Sequence, residues 1–292
     1  MTDTKVSGAA GLCAVVDAAD AARVAYYAQV MGISTLSGKV DLGSGGPEAE
    51  ALAQAVMSGF GQVPAAAMRR RLGSVRVAVA SRMRAAEAAP RGLRIGTGEV
   101  EVLARCHGHA GFFGLEILTL SHRRFDGAMS EDITREVFVS GDAVTVLPYD
   151  PVRDRVLVIE QFRVGPLGRG DRLPWQLEAI AGRIDPGETP DTAARREAVE
   201  EAGLILGALE KVAEYYPSPG AVAEYLYSFV ALCDLPDGVA GVFGAEEEDE
   251  DIKGHVLSFD QLLAVMAAGE IGNSPLLLTV LWLQRERARL RG

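Results

Sequence analysis

Between positions 182 and 204 the chain reads GRIDPGETPDTAARREAVEEAGL. Glu188 follows Gly182 after five residues, and seven more lead to Arg196 and Glu197, then Glu200, Glu201 and Gly203. Carboxylates collected at such spacing repel one another. They gain a purpose if they hold hard divalent cations, which take oxygen ligands.

The element that must carry them is a helix. Pro190 and Asp191 mark its start, and Asp191 or Thr189 can cap it. Positions 192 to 202 contain no Gly or Pro and are rich in Ala, Arg and Glu, all helix formers. Gly203 ends it where a left-handed residue is wanted. On that helix Glu197 and Glu201 lie four apart on one face, with Glu200 flanking it. An RExxEE run alone is an ordinary solvated acidic face, but Gly182, Glu188 and Gly203 add a fixed frame around it.

With that frame the segment resembles the Nudix box, G-x5-E-x7-R-E-U-x-E-E-x-G-U, Ala198 standing in for the first bulky position. The resemblance implies a metal-dependent hydrolase that cleaves a nucleoside diphosphate linked to another group. From about position 100 to the end the chain is similar to the ADP-ribose pyrophosphatase branch of that family. The similarity is carried by GFFGLEILTLSHRRFDG, TREVF, LPYDPVRDRVLVIEQFR, LEAIAG before the box, YYPSPG after it, and EEEDEDI near 250. Pro219, sixteen residues past Gly203, falls where this branch has a proline. Relatives of this layout also act on GDP-mannose and other nucleoside diphosphate sugars, and some Nudix domains are non-enzymatic sensors that have lost box glutamates. All four are present here.

The resemblance implies roles residue by residue. Glu197, Glu201, Glu250 and the Ala181 carbonyl would hold Mg2+, or Mn2+ in its place, with Glu200 beside them. Arg196 would orient the glutamates through charge-assisted hydrogen bonds. Arg135 and Arg163 would contact the substrate, since a guanidinium fork suits phosphate, and Phe112 or Phe113 would stack on the adenine. The acidic run EEEDED at 246–251 would supply the general base as Glu248, with Glu224 after SPG its competitor for that role. The products expected from ADP-ribose are AMP and ribose 5-phosphate. In this branch N-terminal strands, here near 98–121, exchange between two subunits, so a homodimer is implied.

The whole chain bounds the reading. It has 292 residues and a formal net charge of −11, which argues against nucleic-acid backbone binding while allowing a phosphate-bearing small substrate beside bound metal. Cys13, Cys106 and Cys233 show no paired spacing, so neither a zinc site nor a disulfide framework is expected, and a reducing cytoplasm fits. No secretory signal is read in the first residues. The longest apolar run near the end, PLLLTVLWLQ, is far short of the ~20 residues a bilayer requires.

Two regions are expected. Residues 1–96 are Ala-rich, with helical stretches near 17–30 and 47–86 parted by LSGKVDLGSGG, and AAPRG as a linker. Within them MRRRLGSVRVAVASRMRAAEAAPR is basic on one face and apolar on the other. From 97 to 292 the chain alternates like strands at GEVEVLARC, FFGLEILTLSHRRF, REVFVSG, DAVTVLPYD and RVLVIEQFRV. YDPVRD makes a hairpin turn. After the box come KVAEYY, EYLYSFVALCDL and HVLSF, then two helices. Strands on both sides of a central helix give an α+β or α/β sandwich, and the resemblance implies the Nudix fold, a mixed sheet between helices.

Overall fold

The structure, a computed structural model, describes residues 21–33, 46–87, 99–244 and 250–292. The expected linker at 88–92 and Glu248 lie outside the described residues. The chain divides into two compact units, residues 1–141 with 218–224, and residues 142–217 with 225–292.

The first unit contains α1 (Ala21–Met31), α2 (Pro47–Met57), α3 (Ala65–Arg70) and α4 (Leu72–Glu87), followed by β1 (Val100–Ala110) and β2 (Gly114–His122). It also holds the first half of β3 (Ile133–Asp150). The single helix expected over 47–86 is broken into α2, α3 and α4. The break falls at Gly59, Gly61 and Pro64: Gly61 takes φ +77°, and a proline cannot continue a helix that needs its N–H. Gly59 lets the turn close tightly, since a Cβ there would lie 2.3 Å from Cε of Met68. The helices bury Tyr27, Val30, Val56, Met68, Val75 and Val79 among themselves. β1 and β2 form an antiparallel hairpin, Val100 opposite His122 and Ala110 opposite Gly114. β2 pairs in turn with β3, from Gly114 opposite Val139 to Leu120 opposite Ile133. The helices reach this hairpin through Ser58, whose hydroxyl meets His107 Nε2 at 3.0 Å, and Gln62, whose carbonyl accepts the His107 N–H at 3.0 Å.

REVFVSG and DAVTVLPYD read as two strands but form one, β3, which passes through Gly141 at φ +105°. Only glycine fits there, because a Cβ would stand 2.7 Å from Cγ1 of Val77.

The second unit is a sheet covered on both faces. The second half of β3 pairs with β6 (Ile180–Arg183), Ala143 opposite Arg183. β4 (Arg155–Phe162) pairs with β5 (Trp175–Glu178) and with β10 (Ile252–Ser258). β7 (Leu209–Tyr215) pairs with β8 (Val222–Leu232), and the short β9 (Val242–Phe243) with β10. A short α5 (Val164–Arg169) links β4 to β5. Side chains alternate across the strands. Val144, Val146, Leu157 and Ile159 face α6 (Pro190–Ala202), whose Ala193, Ala194, Ala198 and Ala202 let it approach closely. Leu147, Tyr149, Val156 and Val158 face the other way, onto α7 (Phe259–Ala267) and α8 (Ser274–Arg291). Among the described residues no helix is long and apolar enough to cross a membrane.

Candidate active site

Thr189, rather than Asp191, caps α6: its hydroxyl accepts the Thr192 N–H at 3.2 Å, and the Thr192 hydroxyl accepts the Thr189 N–H at 2.9 Å. Gly203 ends the helix at φ +62°, in the left-handed region. Arg195 ties that end to the next loop by donating to the carbonyls of Leu206 and Gly207. So held, α6 turns Glu197 and Glu201 inward beside its alanines, where they are 8% and 2% exposed.

Arg196 organises the acids around it. Its guanidinium donates to both Glu188 oxygens at 2.9 and 3.0 Å, to Glu197 at 2.7 Å, to Glu200 at 2.9 Å and to the Arg183 carbonyl at 3.0 Å. These bonds hold the Glu188 carboxyl below its usual range and the arginine above its own. Gly182 lies under the cluster: a Cβ there would be 1.8 Å from Oε1 of Glu197. Glu201 accepts a bond from the Ala181 N–H at 3.0 Å.

The electrostatics are those of a site short of positive charge. Burial pushes Glu197 up to about 7 and Glu201 up to about 8, and Glu250 adds repulsion to both. Burial works against the charge of Arg163, but Glu178, Glu201 and Glu250 attract it and leave its affinity for protons raised. Arg163 is clamped by Glu178 through three contacts of 2.7 to 3.2 Å, and Gln161 donates to the same carboxylate at 3.2 Å. Gly244, at φ +120°, lets the chain return past Glu250: a Cβ there would be 2.7 Å from the Glu250 carbonyl oxygen.

The NUDIX domain model matches residues 139–278. The ADP-ribose pyrophosphatase of Escherichia coli K12 is 39% identical over 196 residues, covering 67% of this chain and 93% of that protein. This chain belongs to the Nudix family. The ADP-ribose pyrophosphatase of Haemophilus influenzae is 36% identical over 195 residues, 66% of this chain and 89% of the relative. A GDP-mannose pyrophosphatase of E. coli K12/DH10B is 35% identical over 173 residues, 59% of this chain and 88% of the relative. A crystal structure of an ADP compounds hydrolase aligns at TM-score 0.47 and 22% identity, over 68% of this chain and 98% of the other.

Of the residues read from the Nudix resemblance, the second unit contains Ala181, Glu197, Glu200, Glu201, Arg196, Arg163 and Glu250. Arg135, Phe112 and Glu224 belong to the first unit. Arg135 is exposed opposite Leu118 and donates to the Thr134 carbonyl at 2.8 Å. Phe112 is 64% exposed and meets Phe113 edge-on at 4.8 Å. Glu224 accepts from the Ser140 hydroxyl at 3.2 Å. Among the described residues no three His, Cys, Asp or Glu side chains are already drawn into a ligand-ready group. The sequence reading missed Glu178 and Gln161. Their signal was polar residues set in mainly apolar strands, WQLE and VLVIEQF, and only the pairing of β4 with β5 brings Glu178 to Arg163 and to the Gln161 amide.

Proposed function

We infer that this protein hydrolyses the diphosphate of ADP-ribose to AMP and ribose 5-phosphate, using Mg2+ or Mn2+ in its place. The observation that carries this reading is the 39% identity to an ADP-ribose pyrophosphatase along 93% of that enzyme, with every charged position of the Nudix box occupied. The box also fits a hard divalent cation. Glu197 and Glu201 are buried oxygen donors whose ordinary ionisation is suppressed by burial, and the space a Gly182 Cβ would fill is given to the Glu197 carboxylate. Glu197, Glu201, Glu250 and the Ala181 carbonyl would hold the metal. When bound, it supplies charge neutralisation on the diphosphate oxygens and acidifies water.

The remaining work falls to side chains. Arg196 keeps Glu188, Glu197 and Glu200 in fixed rotamers, so the acids need not reorganise when substrate binds. Arg163, restrained by Glu178, offers its remaining N–H groups to a phosphate oxygen. Arg135 and Phe112 extend the substrate contacts. Glu248 takes the proton of the attacking water as its oxygen bonds to phosphorus and the bridging P–O bond breaks, with Glu224 as the competing base.

The molecule works as a cytoplasmic homodimer that exchanges strands near 98–121, with residues 1–96 a helix-rich extension to a Nudix domain at 97–292. It binds a nucleoside diphosphate sugar and neither nucleic acid nor membrane. A second reading, GDP-mannose hydrolysis, is favoured by the 35% identical relatives. The deciding experiment is a panel of ADP-ribose, GDP-mannose, ADP-glucose and NADH, scored by phosphate released through a coupled phosphatase. ADP-ribose should give the highest kcat/KM; a clear preference for GDP-mannose installs the second reading, and no turnover of any member rejects both.

A further inference from the structure

The basic stretch of α3 and α4 has no part in the hydrolytic site, yet it builds a cluster of its own in the first unit. Arg82 of α4 donates to Oε1 of Glu116 on β2 at 2.6 Å, and Arg105 of β1 donates to Oε2 of the same carboxylate. Both oxygens of Glu116, itself 7% exposed, are thus engaged. A third guanidinium, Arg71 between α3 and α4, senses that same carboxylate but forms no bond to it, and its Nε and Nη1 are buried without any hydrogen-bond partner. Its Nη2 passes over Gly114, where a Cβ would lie 2.7 Å away. His107 completes the group; burial, with the three arginines and against the pull of Glu116, lowers its affinity for protons, and its Nδ1 is buried without a partner.

Three positive charges therefore face one negative charge, a surplus of two, in a chain whose overall balance is −11. Burying an uncompensated guanidinium costs stability unless an anion offsets it. The side chains of Arg82 and Arg105 are 45% and 38% exposed, so the cluster opens to solvent on their side. Each of them uses one nitrogen on Glu116 and keeps other N–H groups for a second acceptor.

We propose that Arg71, Arg82 and Arg105 form a binding site for a small phosphate-class dianion, separate from the Nudix box. A doubly charged phosphate group balances the surplus of two, and its tetrahedral oxygens suit several guanidinium donors at once. The group can come as free phosphate or as the phosphomonoester end of a metabolite.

The test uses the full chain, stripped of divalent metal and dialysed free of chelator. Inorganic phosphate, ribose 5-phosphate and AMP are titrated in turn, with chloride at matched ionic strength as control. Calorimetry reads affinity, and NMR reads the His107 ring and the arginine Nε–H signals. Phosphate should bind and move the His107 signals to saturation, and chloride should not. Arg71→Gln should weaken binding about tenfold or more, the loss of one charge-assisted bond. Glu116→Gln should strengthen it by removing the competing carboxylate, which a purely structural cluster would not do. If Arg71→Gln does not fold, the more exposed Arg105→Gln makes the same comparison. Tighter binding of either monoester than of phosphate assigns a metabolite, and equal binding assigns the free anion. Binding unchanged in the arginine variants, or no shift of His107 up to about 10 mM phosphate, a range in which even weak sites fill, overturns the proposal.

Discussion

Glu201 is the most deeply buried acid of the box, at 2% exposure. Glu201→Gln keeps its shape and its bond from the Ala181 N–H but removes the charge a cation would meet. Activity with Mg2+ should fall by about 10²-fold or more while the folded circular dichroism signal persists; near-normal turnover would place the metal elsewhere. Glu178 has a different role, because it touches Arg163 and restrains it. Glu178→Gln should raise KM for ADP-ribose several-fold with little change in kcat, and in combination with Arg163→Lys the two losses should not add. Additive losses would mean that the clamp does not act through Arg163. For the base, Glu248→Gln should lower kcat by about 10²–10⁴-fold with substrate binding nearly intact, and Glu224→Gln should do less. The reverse order assigns the base to the SPG loop.

At the scale of elements, the turn from β3 to β4 anchors the C-terminal helix. Asp154 closes that turn at φ +57°, the one described residue other than glycine with positive φ. Its carboxylate accepts from the Tyr149 hydroxyl at 2.8 Å and from Arg287 Nε at 2.9 Å, and pairs with Arg291. Arg287 also stacks on Phe259 at 4.4 Å, joining α8 to α7. The bond from Arg287 holds Asp154 down to about 2, from an ordinary 3.8. Because this folded value lies below the unfolded one, the contribution to stability is complete above about pH 5 and is lost as pH falls towards 2. Asp154→Asn tolerates the left-handed backbone but not the ion pairs. It should destabilise by about 1.5–3 kcal/mol at pH 7, and the gap between variant and wild type should close in urea titrations near pH 2.5. Asp154→Ala should cost more, since it adds backbone strain. A gap that stays constant down to that pH would show that the charge is not what matters.

For the molecule as a whole, β1 is the outer strand of its ladder, and Val100, Val102 and Leu103 are 56%, 48% and 47% exposed. Among the described residues β1 pairs with β2 alone, and an apolar strand edge can pair with another chain. Sedimentation at micromolar concentration should find a homodimer with an interface of the obligate size class; a fully active monomer removes strand exchange from the account.

The sequence by itself determined what is local. Thr189, Pro190 and Gly203 bound the box helix, and a spacing of four sets Glu197 and Glu201 on one face, because a helix repeats every 3.6 residues. Alternation in RVLVIEQF and DAVTVLPYD reads as buried strands for the same kind of reason. The spacing of the box was specific enough to name the family. The tertiary structure decided whatever depends on segments far apart in the chain. Gly182 is glycine because Glu197, fifteen positions on, occupies its Cβ space. Glu178 finds Arg163 only through strand pairing, and the helix expected over 47–86 breaks where Gly59 closes on Met68. Arg71, unremarkable within a basic run, is left with two buried nitrogens unpaired where α4, β1 and β2 bring Arg82, Arg105 and Glu116 together. Burial and charge balance are sums over neighbours in space, and chain order does not list those neighbours.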